Sequence, residues 1–387
     1  MGVEDKYLSQ FKVGKKEEYA AKMAFFIPGF ALSTWAPMIP MVKERLNLGA
    51  DVLGLLLLCI GVSAFFIMPV AGILSQKFGC KKVMRVAAII ISLVVVALSI
   101  LPNIWTYAIF LILLGCSMGT LEVNMNINSV IVEKIAKKRM MSSMHAFWSI
   151  GCFLSAGLFS ILAKLGIDVF HIAIIHCIIL LLIIFICSPF FLAYKGSNNE
   201  KAISIPKGIV ILFGLFACAT FLGEGAIMDW SGVFLTEVKD VELSLAGVGY
   251  AIFSVAMLII RLIGDKVVQK LGEQKVVFFG SLITGCGFLL IILIDDLYFM
   301  SSGFILLGLG AANIVPVLYS MLKHQNDMPI NAAVTAVTCM GYTGVILGPA
   351  VLGFIAQAIG IIAVFYLLAG IFIVQAFVAR FVFSKLV

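Results

Sequence analysis

Long apolar stretches recur along this chain from residue 21 to the C-terminus, separated by short breaks that carry charges, Pro or Gly. A helix needs about 20 residues to cross a hydrocarbon core about 30 Å thick. The stretches lack the ten-residue alternation of barrel strands, so they predict helices, which satisfy their own backbone hydrogen bonds in lipid. Twelve are predicted, near residues 21–42, 51–75, 83–101, 104–132, 142–163, 169–193, 208–235, 245–268, 276–294, 298–322, 330–358 and 361–383.

The composition excludes a water-soluble fold. Of the 387 residues, 62% are apolar and 12% are charged, whereas soluble domains have about 45–50% and about 25%. So few charges do not cover the surface of a soluble protein of this length. We therefore expect an all-α polytopic membrane protein with twelve transmembrane helices.

The placement of Lys and Arg supports this count. If the N-terminus is cytoplasmic, only four of the 27 Lys and Arg residues fall outside, namely Lys43, Arg45, Lys164 and Lys239. Cytoplasmic loops of membrane proteins carry such an excess of cations, so both termini are predicted to be cytoplasmic. The net charge of +7 reflects this topology beside an anionic leaflet and requires no nucleic acid.

The second half of the sequence repeats the first. QKFGCKKV at Gln76–Val83, after predicted helix 2, matches QKLGEQKV at Gln269–Val276, after predicted helix 8, at an offset of 193 residues. The same offset aligns Ile112–Gly115 with Ile305–Gly308, and Gly151 with Gly344. Gly79 and Gly272 permit tight turns in the two loops, although ordinary basic loops are the alternative.

Two parallel repeats of six helices define the expected domains. They are an N-terminal bundle with a cytoplasmic tail over residues 1–194, a cytoplasmic linker over 195–207 and a C-terminal bundle over 208–387. Transporters built from two such repeats bind substrate between the halves, near the bilayer midplane. The repeat therefore indicates a transporter made of two pseudo-symmetric bundles.

Residues Gly72–Lys82 (GILSQKFGCKK) resemble the signature loop between helices 2 and 3 of the major facilitator superfamily. The fifth signature position is usually acidic and is Gln76 here, whereas the second half has Asp265 nearby. The resemblance implies the major facilitator fold, with gate and signature-loop residues Gly72, Lys77, Gly79, Lys82, Arg261, Asp265 and Gly272.

Within that superfamily, the chain is similar to the fucose–proton symporter branch and its YbjJ-like permeases. The similarity rests on Trp35–Pro37, Leu121–Asn126, Met141–Ala146, Glu224–Ala226, Asp229–Ser231 and Gly341–Gly344 with Gly348 and Pro349. The sugar symporters carry Leu-Glu-x-x-x-Asn in helix 4, which Glu122 and Asn126 match. They also carry an acid in helix 1, which this sequence lacks between Lys22 and Lys43. The resemblance implies a permease of the bacterial inner membrane.

Glu122 is the clearest candidate for proton coupling. A charge at the membrane centre costs at least ~2.5–3.5 kcal/mol, so it needs a partner or a function. Asn126 and Ser129 follow at i+4 and i+7 on the same face, while Asn124 and Asn128 point away. The carboxyl either binds and releases a proton, or stays protonated in a structural bond to an asparagine.

Predicted helix 5 adds two candidates. His145 is either a proton-relay partner of Glu122 or an interfacial histidine. Trp148 either stacks on a sugar face or anchors the helix near the interface. Trp35, which belongs to the resemblance, joins Asn126 and Trp148 as a candidate for solute binding.

Predicted helix 7 carries Glu224 between two glycines, followed by Asp229 and Trp230. Glycines around an intramembrane carboxylate suggest a locally broken helix that faces a cavity. Glu224 lies roughly 26 Å from the cytoplasmic end at about 1.5 Å per residue, and hence towards the outside. We expect it to bind solute or close an outer gate.

Arg261 and Asp265 lie four residues apart near the inner end of predicted helix 8. They form either a local ion pair or a gate latch against the N-terminal half. Arg261 is nearly the only cation inside any predicted span, and a site for phosphate or an organic anion usually displays more positive charge. A neutral or zwitterionic solute is therefore favoured, with Asn313 and Tyr342 of predicted helices 10 and 11 as further polar groups.

The sequence lacks the motifs of other functional classes. It has no GxxxxGK(S/T) loop for ATP hydrolysis, and no HExxH, GxSxG or paired Cys/His motif. We predict no enzyme, no cofactor and no metal site. The leading hypothesis is a monomeric secondary transporter that moves a small polar, sugar-like solute by alternating access, in symport with protons. The alternatives are a proton antiporter that exports amphipathic compounds and a non-transporting sensor or scaffold.

Overall fold

The computed structural model describes residues 8–196, 205–242 and 245–383. We label its long helices in chain order: α1 Lys15–Trp35, α2 Ala50–Phe78, α3 Cys80–Ile100, α4 Ile104–Ala136, α5 Met141–Lys164, α6 Val169–Cys187, α7 Ile209–Glu237, α8 Val248–Leu271, α9 Glu273–Leu293, α10 Leu297–Ala311, α11 Ile330–Ile359 and α12 Ile361–Phe383. Short helices, Met38–Arg45 and Ile314–Met321, follow α1 and α10, and a 3-10 turn, Ser188–Phe190, follows α6. Every predicted span contains one of these long helices.

Eleven helical segments in the described part of the chain are long and apolar enough to cross a membrane. They account for every long helix except α8. That helix has 24 residues and is about 36 Å long at about 1.5 Å per residue, which exceeds a hydrocarbon core of about 30 Å. With α8 as the twelfth, the predicted number of spans agrees with the structure.

Prolines end or interrupt three of the predicted spans. Predicted helix 1 stops at Trp35, and predicted helix 6 stops at Cys187, six residues earlier than expected. In both, the helix ends two residues before a proline, which has no amide hydrogen to continue the helical hydrogen bonds. Predicted helix 10 is interrupted at Ala312–Asn313, four residues before Pro316. The ring of a proline clashes with the carbonyl four residues back.

Polar side chains cap three helices where the sequence changes from loop to apolar span. The Oδ1 atom of Asn103 accepts hydrogen bonds from the amides of Trp105 and Thr106 at the start of α4. Asp168 and Asp296 cap α6 and α10 in the same way. These acceptors satisfy amides that have no partner within the helix, and so fix where each span begins.

The chain forms two compact units. The first contains Met1–Lys138, Met144–Pro206 and Met328–Ala336, and the second contains Arg139–Ser143, Lys207–Asp327 and Val337–Val387. Most of each predicted bundle therefore falls in one unit, while the first residues of α5 and of α11 are grouped with the other. Most of the predicted linker, residues 197–204, lies outside the described residues.

A close helix crossing occurs at equivalent positions in both units. In the first, a Cβ atom on Gly115 of α4 would lie 2.2 Å from the carbonyl oxygen of Ile60 in α2. In the second, a Cβ atom on Gly308 of α10 would lie 2.4 Å from the carbonyl oxygen of Phe253 in α8. Both residues of the pair are offset by 193 positions. The sequence repeat is therefore a repeat of helix packing.

A second crossing and a turn also recur. A Cβ atom on Gly151 of α5 would lie 2.5 Å from the carbonyl oxygen of Phe26, and one on Gly344 of α11 would lie 2.2 Å from that of Cys218. Gly79 and Gly272 have φ angles of 86° and 84°, and each forms the single-residue turn between two helices. This backbone conformation favours glycine, as predicted for both loops.

Candidate functional site

Glu122 lies at membrane depth in α4 and is bonded to the next residue on its face. Its side chain is partly exposed. The Nδ2 atom of Asn126 donates to the Oε1 atom of Glu122 at 3.3 Å, and to the backbone carbonyl of Glu122 at 2.9 Å. The spacing of four residues thus pairs the two side chains, as the helical period predicts.

The neighbouring asparagines are directed elsewhere and are fully buried. The Nδ2 atom of Asn124 donates to the carbonyl oxygen of Ala71 in α2 at 3.4 Å. The Oδ1 atom of Asn128 accepts from the amide of Leu192, after α6, at 3.0 Å. These bonds tie α4 to other parts of the first unit, on the side of the helix that faces away from Glu122.

The candidates in α5 lie against α1. The ring of His145, 9% exposed, lies 4.8 Å from the ring of Phe25. The backbone of Trp148 is so close to Gly29 that a Cβ atom on that glycine would lie 2.3 Å from the Trp148 carbonyl oxygen. Both residues are therefore positioned by the same helix crossing, and their roles in proton transfer and solute binding stay predictions.

Trp35 is packed inside the first unit. Its ring lies 6.4 Å from that of Tyr107. The Tyr107 hydroxyl donates to the carbonyl of Leu98 and accepts from the guanidinium of Arg45. In this arrangement Trp35 has an evident packing partner, and its predicted contact with solute remains a proposal.

Arg261 and Glu224 form a largely buried ion pair in the second unit. The Nη2 atom of Arg261 lies 3.5 Å from the Oε1 atom of Glu224, and both side chains are largely buried. We predicted Glu224 towards the outside and Arg261 near the inner end of its helix, but the contact places them at one depth. The physical reason is that both helices extend beyond their predicted ends, α7 to Glu237 and α8 to Leu271. Each residue therefore lies near the middle of its helix.

A break in the α10 span supplies another partner for Arg261. Pro316 has no amide hydrogen, so the carbonyl of Ala312, four residues earlier, has no helical donor. The Nε atom of Arg261 donates to that carbonyl at 3.1 Å. Next to it, buried Asn313 approaches α8 so closely that a Cβ atom on Gly264 would lie 2.3 Å from the Asn313 Oδ1 atom. The structure thus brings together Glu224, Arg261 and Asn313.

Asp265, one turn beyond Arg261, binds the start of α5. Its carboxylate oxygens accept hydrogen bonds from the amides of Ser142 at 3.0 Å and Ser143 at 3.2 Å. A carboxylate at a helix N-terminus satisfies amides without an internal partner and is stabilised by the helix dipole. The two serines were not predicted as partners, because helical spacing identifies only contacts within one helix.

An ion pair lies beside the second signature loop. Arg139 contacts Glu273, the first residue of α9, at 2.6 Å. Glu273 directly follows Gly272, which was predicted to form the turn. The residues Arg139–Ser143 therefore contact two carboxylates, because Arg139 pairs with Glu273 and the amides of Ser142 and Ser143 bind Asp265.

The first signature loop has a different environment. Gly72 is buried in α2, whereas Lys77 and Lys82 are exposed on either side of the turn at Gly79. The amide of Cys80 donates to the carbonyl of Tyr194 at 2.9 Å, which fixes the turn to the segment after α6. Gln76 occupies the position where an acid was expected. Residues 72–82 contain no carboxylate, so they do not make charged contacts like those of Asp265 and Glu273 near the second loop.

Tyr342 lies in α11 and is partly exposed. The residue before it, Gly341, packs so closely against α7 that a Cβ atom on this glycine would lie 3.0 Å from the ring of Phe221. One turn earlier, Thr338 is hydrogen-bonded to Tyr319 of the short helix Ile314–Met321 at 2.8 Å. These contacts position α11 within the second unit, and the predicted contact of Tyr342 with solute stays a prediction.

Comparisons with known proteins agree with this arrangement. A model of the Major Facilitator Superfamily matches residues 23–324 and 213–386. An uncharacterized MFS-type transporter of Yersinia pestis is 38% identical over 345 residues, which cover 89% of this chain and 90% of that protein. The solved fucose:proton symporter FucP of E. coli has a TM-score of 0.77 at 15% identity, covering 94% of this chain and 98% of that one. The human organic anion transporter MFSD10 has a TM-score of 0.76 at 15% identity, covering 94% and 99%. The chain belongs to the Major Facilitator Superfamily and is a multi-pass membrane transporter.

Proposed function

We propose that this protein is a secondary transporter that moves a small neutral or zwitterionic polar solute by alternating access, in symport with a proton carried by Glu122. The proposal places a monomer in the bacterial inner membrane with both termini in the cytoplasm. The cation distribution of the sequence supports that orientation.

The observation that carries the proposal is the pairing of Glu122 with Asn126. An intramembrane carboxyl is costly unless it has a partner or a function. Asn126 offers the side chain of Glu122 one hydrogen bond, at 3.3 Å, and leaves that side chain partly exposed. An amide nitrogen donates to either form of a carboxyl group. The pair therefore holds Glu122 in position without fixing its protonation state.

The environment of Arg261 supports the solute class. Its guanidinium contacts the carboxylate of Glu224 and donates to the Ala312 carbonyl. A carboxylate and a carbonyl therefore already occupy donors that would otherwise bind an anion in the bidentate way typical of arginine. Solutes that bring their own hydroxyl, amide or balanced charges fit better than phosphates or organic acids.

The proposal is tested with the full chain in liposomes that contain a trapped pH dye. Sugars, polyols, nucleosides and amino acids are first screened by thermal shift, since a ligand that binds the folded state raises the melting temperature. Each compound that binds is then added outside. We expect wild-type protein to acidify the lumen, and Glu122→Gln to abolish acidification while retaining the thermal shift.

Exposed Glu44, in the short helix after α1, provides the matched control, Glu44→Gln. This variant should acidify the lumen like the wild type. A second measurement is the exchange of labelled solute across the membrane at equal pH, which needs no net proton release and should survive in Glu122→Gln. Unchanged acidification by Glu122→Gln would refute the role of this residue, and alkalinisation of the lumen would favour the antiporter.

A further inference from the structure

A cavity of about 480 Å³ lies within the first unit, and none of the candidate solute- or proton-binding residues lines it. Its walls are α2 between Ile67 and Phe78, α3 between Lys82 and Ile90, and α4 between Leu113 and Thr120. Its volume is within the range of about 300–1,000 Å³ typical of small-molecule sites. The proposed transport mechanism uses none of this cavity.

The walls of this cavity are largely apolar, with Ser117 and Thr120 of α4 as polar groups, and the cavity opens at the surface of the unit. Phe78 and Val86, which line it, are 45% and 56% exposed. Both belong to membrane-length helices, where an exposed apolar side chain faces hydrocarbon rather than water. Val83 and Ala87 form its buried back wall. The cavity is therefore a groove that is accessible from the lipid.

One end of the groove carries positive charge. Lys82, in the first turn of α3, lines it and is exposed. Across the turn at Gly79, the Nζ atom of Lys77 lies 5.3 Å from the centre of the Phe78 ring. Adjacent Lys81 is bonded to the carbonyl of Pro189, whereas Lys82 makes no hydrogen bond or ion pair with any residue that the structure describes. Lys82 thus has its charge available to an external group.

The groove has the length of one leaflet. From Lys82 to Ile90, α3 rises about 12 Å at about 1.5 Å per residue, close to half of a hydrocarbon core about 30 Å thick. The positive end lies on the side that the cation distribution predicts to be cytoplasmic, where the leaflet is anionic. The charge at the interface and the apolar wall below it match the two parts of a phospholipid.

We propose that this groove binds an anionic phospholipid of the cytoplasmic leaflet, with one acyl chain against Val83 and Ala87 and the phosphate at Lys82 and Lys77. The occupant has to be lipid, because a free anion leaves the apolar wall empty. A zwitterionic phospholipid fills the wall equally well but has a smaller electrostatic attraction to the two lysines.

Native mass spectrometry of the full chain in detergent tests this proposal. The protein is titrated with phosphatidylglycerol or with phosphatidylcholine of identical acyl chains. Since a Lys near an anionic surface contributes about 1 kcal/mol, or about fivefold in affinity, phosphatidylglycerol should bind wild type at least fivefold more tightly. Lys82→Gln should reduce that preference about fivefold.

Lys275 provides the matched control because it occupies the equivalent position of the second repeat, is also exposed, and lies outside this groove. Lys275→Gln should keep the preference. Filling the groove by Ala87→Phe should weaken binding of both lipids, and Ile90→Phe is the second filling variant if the first fails to fold.

Three outcomes would overturn the proposal. They are equal binding of the two lipids by wild type, an equal loss in the Lys82 and Lys275 variants, and displacement of phosphatidylglycerol by inorganic phosphate at equal concentration. The last outcome would indicate a site for a free anion. These measurements involve no transported solute, so their result is independent of the proton-coupling assay.

Discussion

Arg261 donates to the carbonyl of Ala312 the hydrogen bond that Pro316 has no amide hydrogen to make. A transmembrane helix that breaks inside the bilayer exposes backbone groups that need other partners. Here the side chain of Arg261 in α8 provides a hydrogen-bond donor for a carbonyl at the break in the α10 span. Arg261 therefore has a structural role in addition to its contact with Glu224.

This relationship predicts coupling between residues 261 and 316. Arg261→Gln leaves the Ala312 carbonyl unsatisfied and should lower the free energy of unfolding by about 1–3 kcal/mol. Pro316→Ala restores a helical donor, so in that background the same change should cost about 1 kcal/mol less. A double-mutant cycle in detergent micelles measures the difference. Pro69→Ala, inside α2, is the control and should show no coupling; equal costs in both backgrounds would contradict the assignment.

A second prediction concerns Glu224. Loss of a charged hydrogen-bond partner costs about 1.5–3 kcal/mol, so Glu224→Gln should weaken solute binding at least tenfold if this carboxylate contacts solute. The concentration dependence of the thermal shift gives the affinity. Exposed Glu237 at the end of the same helix supplies the control, Glu237→Gln. An affinity that does not change would leave Glu224 as the structural partner of Arg261 alone.

The cap formed by Asp265 predicts a local change in amide exchange. Asp265→Ala removes the acceptor for the amides of Ser142 and Ser143, at a cost of about 0.5–2 kcal/mol. Hydrogen exchange at the start of α5 should accelerate about 2- to 30-fold, with Asp265→Asn intermediate because an amide oxygen still accepts.

Asp327 provides a matched control for this experiment. Its carboxylate accepts from the amide of Ile209 at the start of α7, at 2.9 Å. Asp327→Ala should accelerate exchange at α7 and leave α5 unchanged. If each variant affected both helices equally, the change would reflect general destabilisation rather than loss of a cap.

The repeated crossing predicts equal sensitivity of two glycines far apart in the sequence. Gly115→Ala and Gly308→Ala each place a Cβ atom within 2.4 Å of a carbonyl oxygen of the facing helix. The helices must separate, at a cost of about 1–3 kcal/mol. Gly54→Ala in α2 meets no atom within 4 Å and should be neutral or stabilising, since alanine favours helix. Melting temperatures check the three variants, and similar values for all would disprove close packing at these sites.

Much of the architecture was predictable because its causes are local. The apolar stretches predict spans, the 193-residue offset predicts equivalent crossings, and Gly79 and Gly272 predict turns that require a positive φ. The i+4 spacing also predicts the pairing of Glu122 with Asn126. In each case the interacting atoms lie within one helix or one turn, or repeat at a fixed offset.

The sequence by itself determined which segments cross the membrane and that the two halves pack alike, because hydrophobic length and repetition act through the lipid and the backbone alone. Only the tertiary structure decided that Arg261 meets Glu224 and Ala312, that Asp265 caps α5, and that α2, α3 and α4 enclose a groove below Lys82. These contacts join residues from different helices, and their formation depends on how each helix is positioned and rotated by packing, which no local pattern specifies.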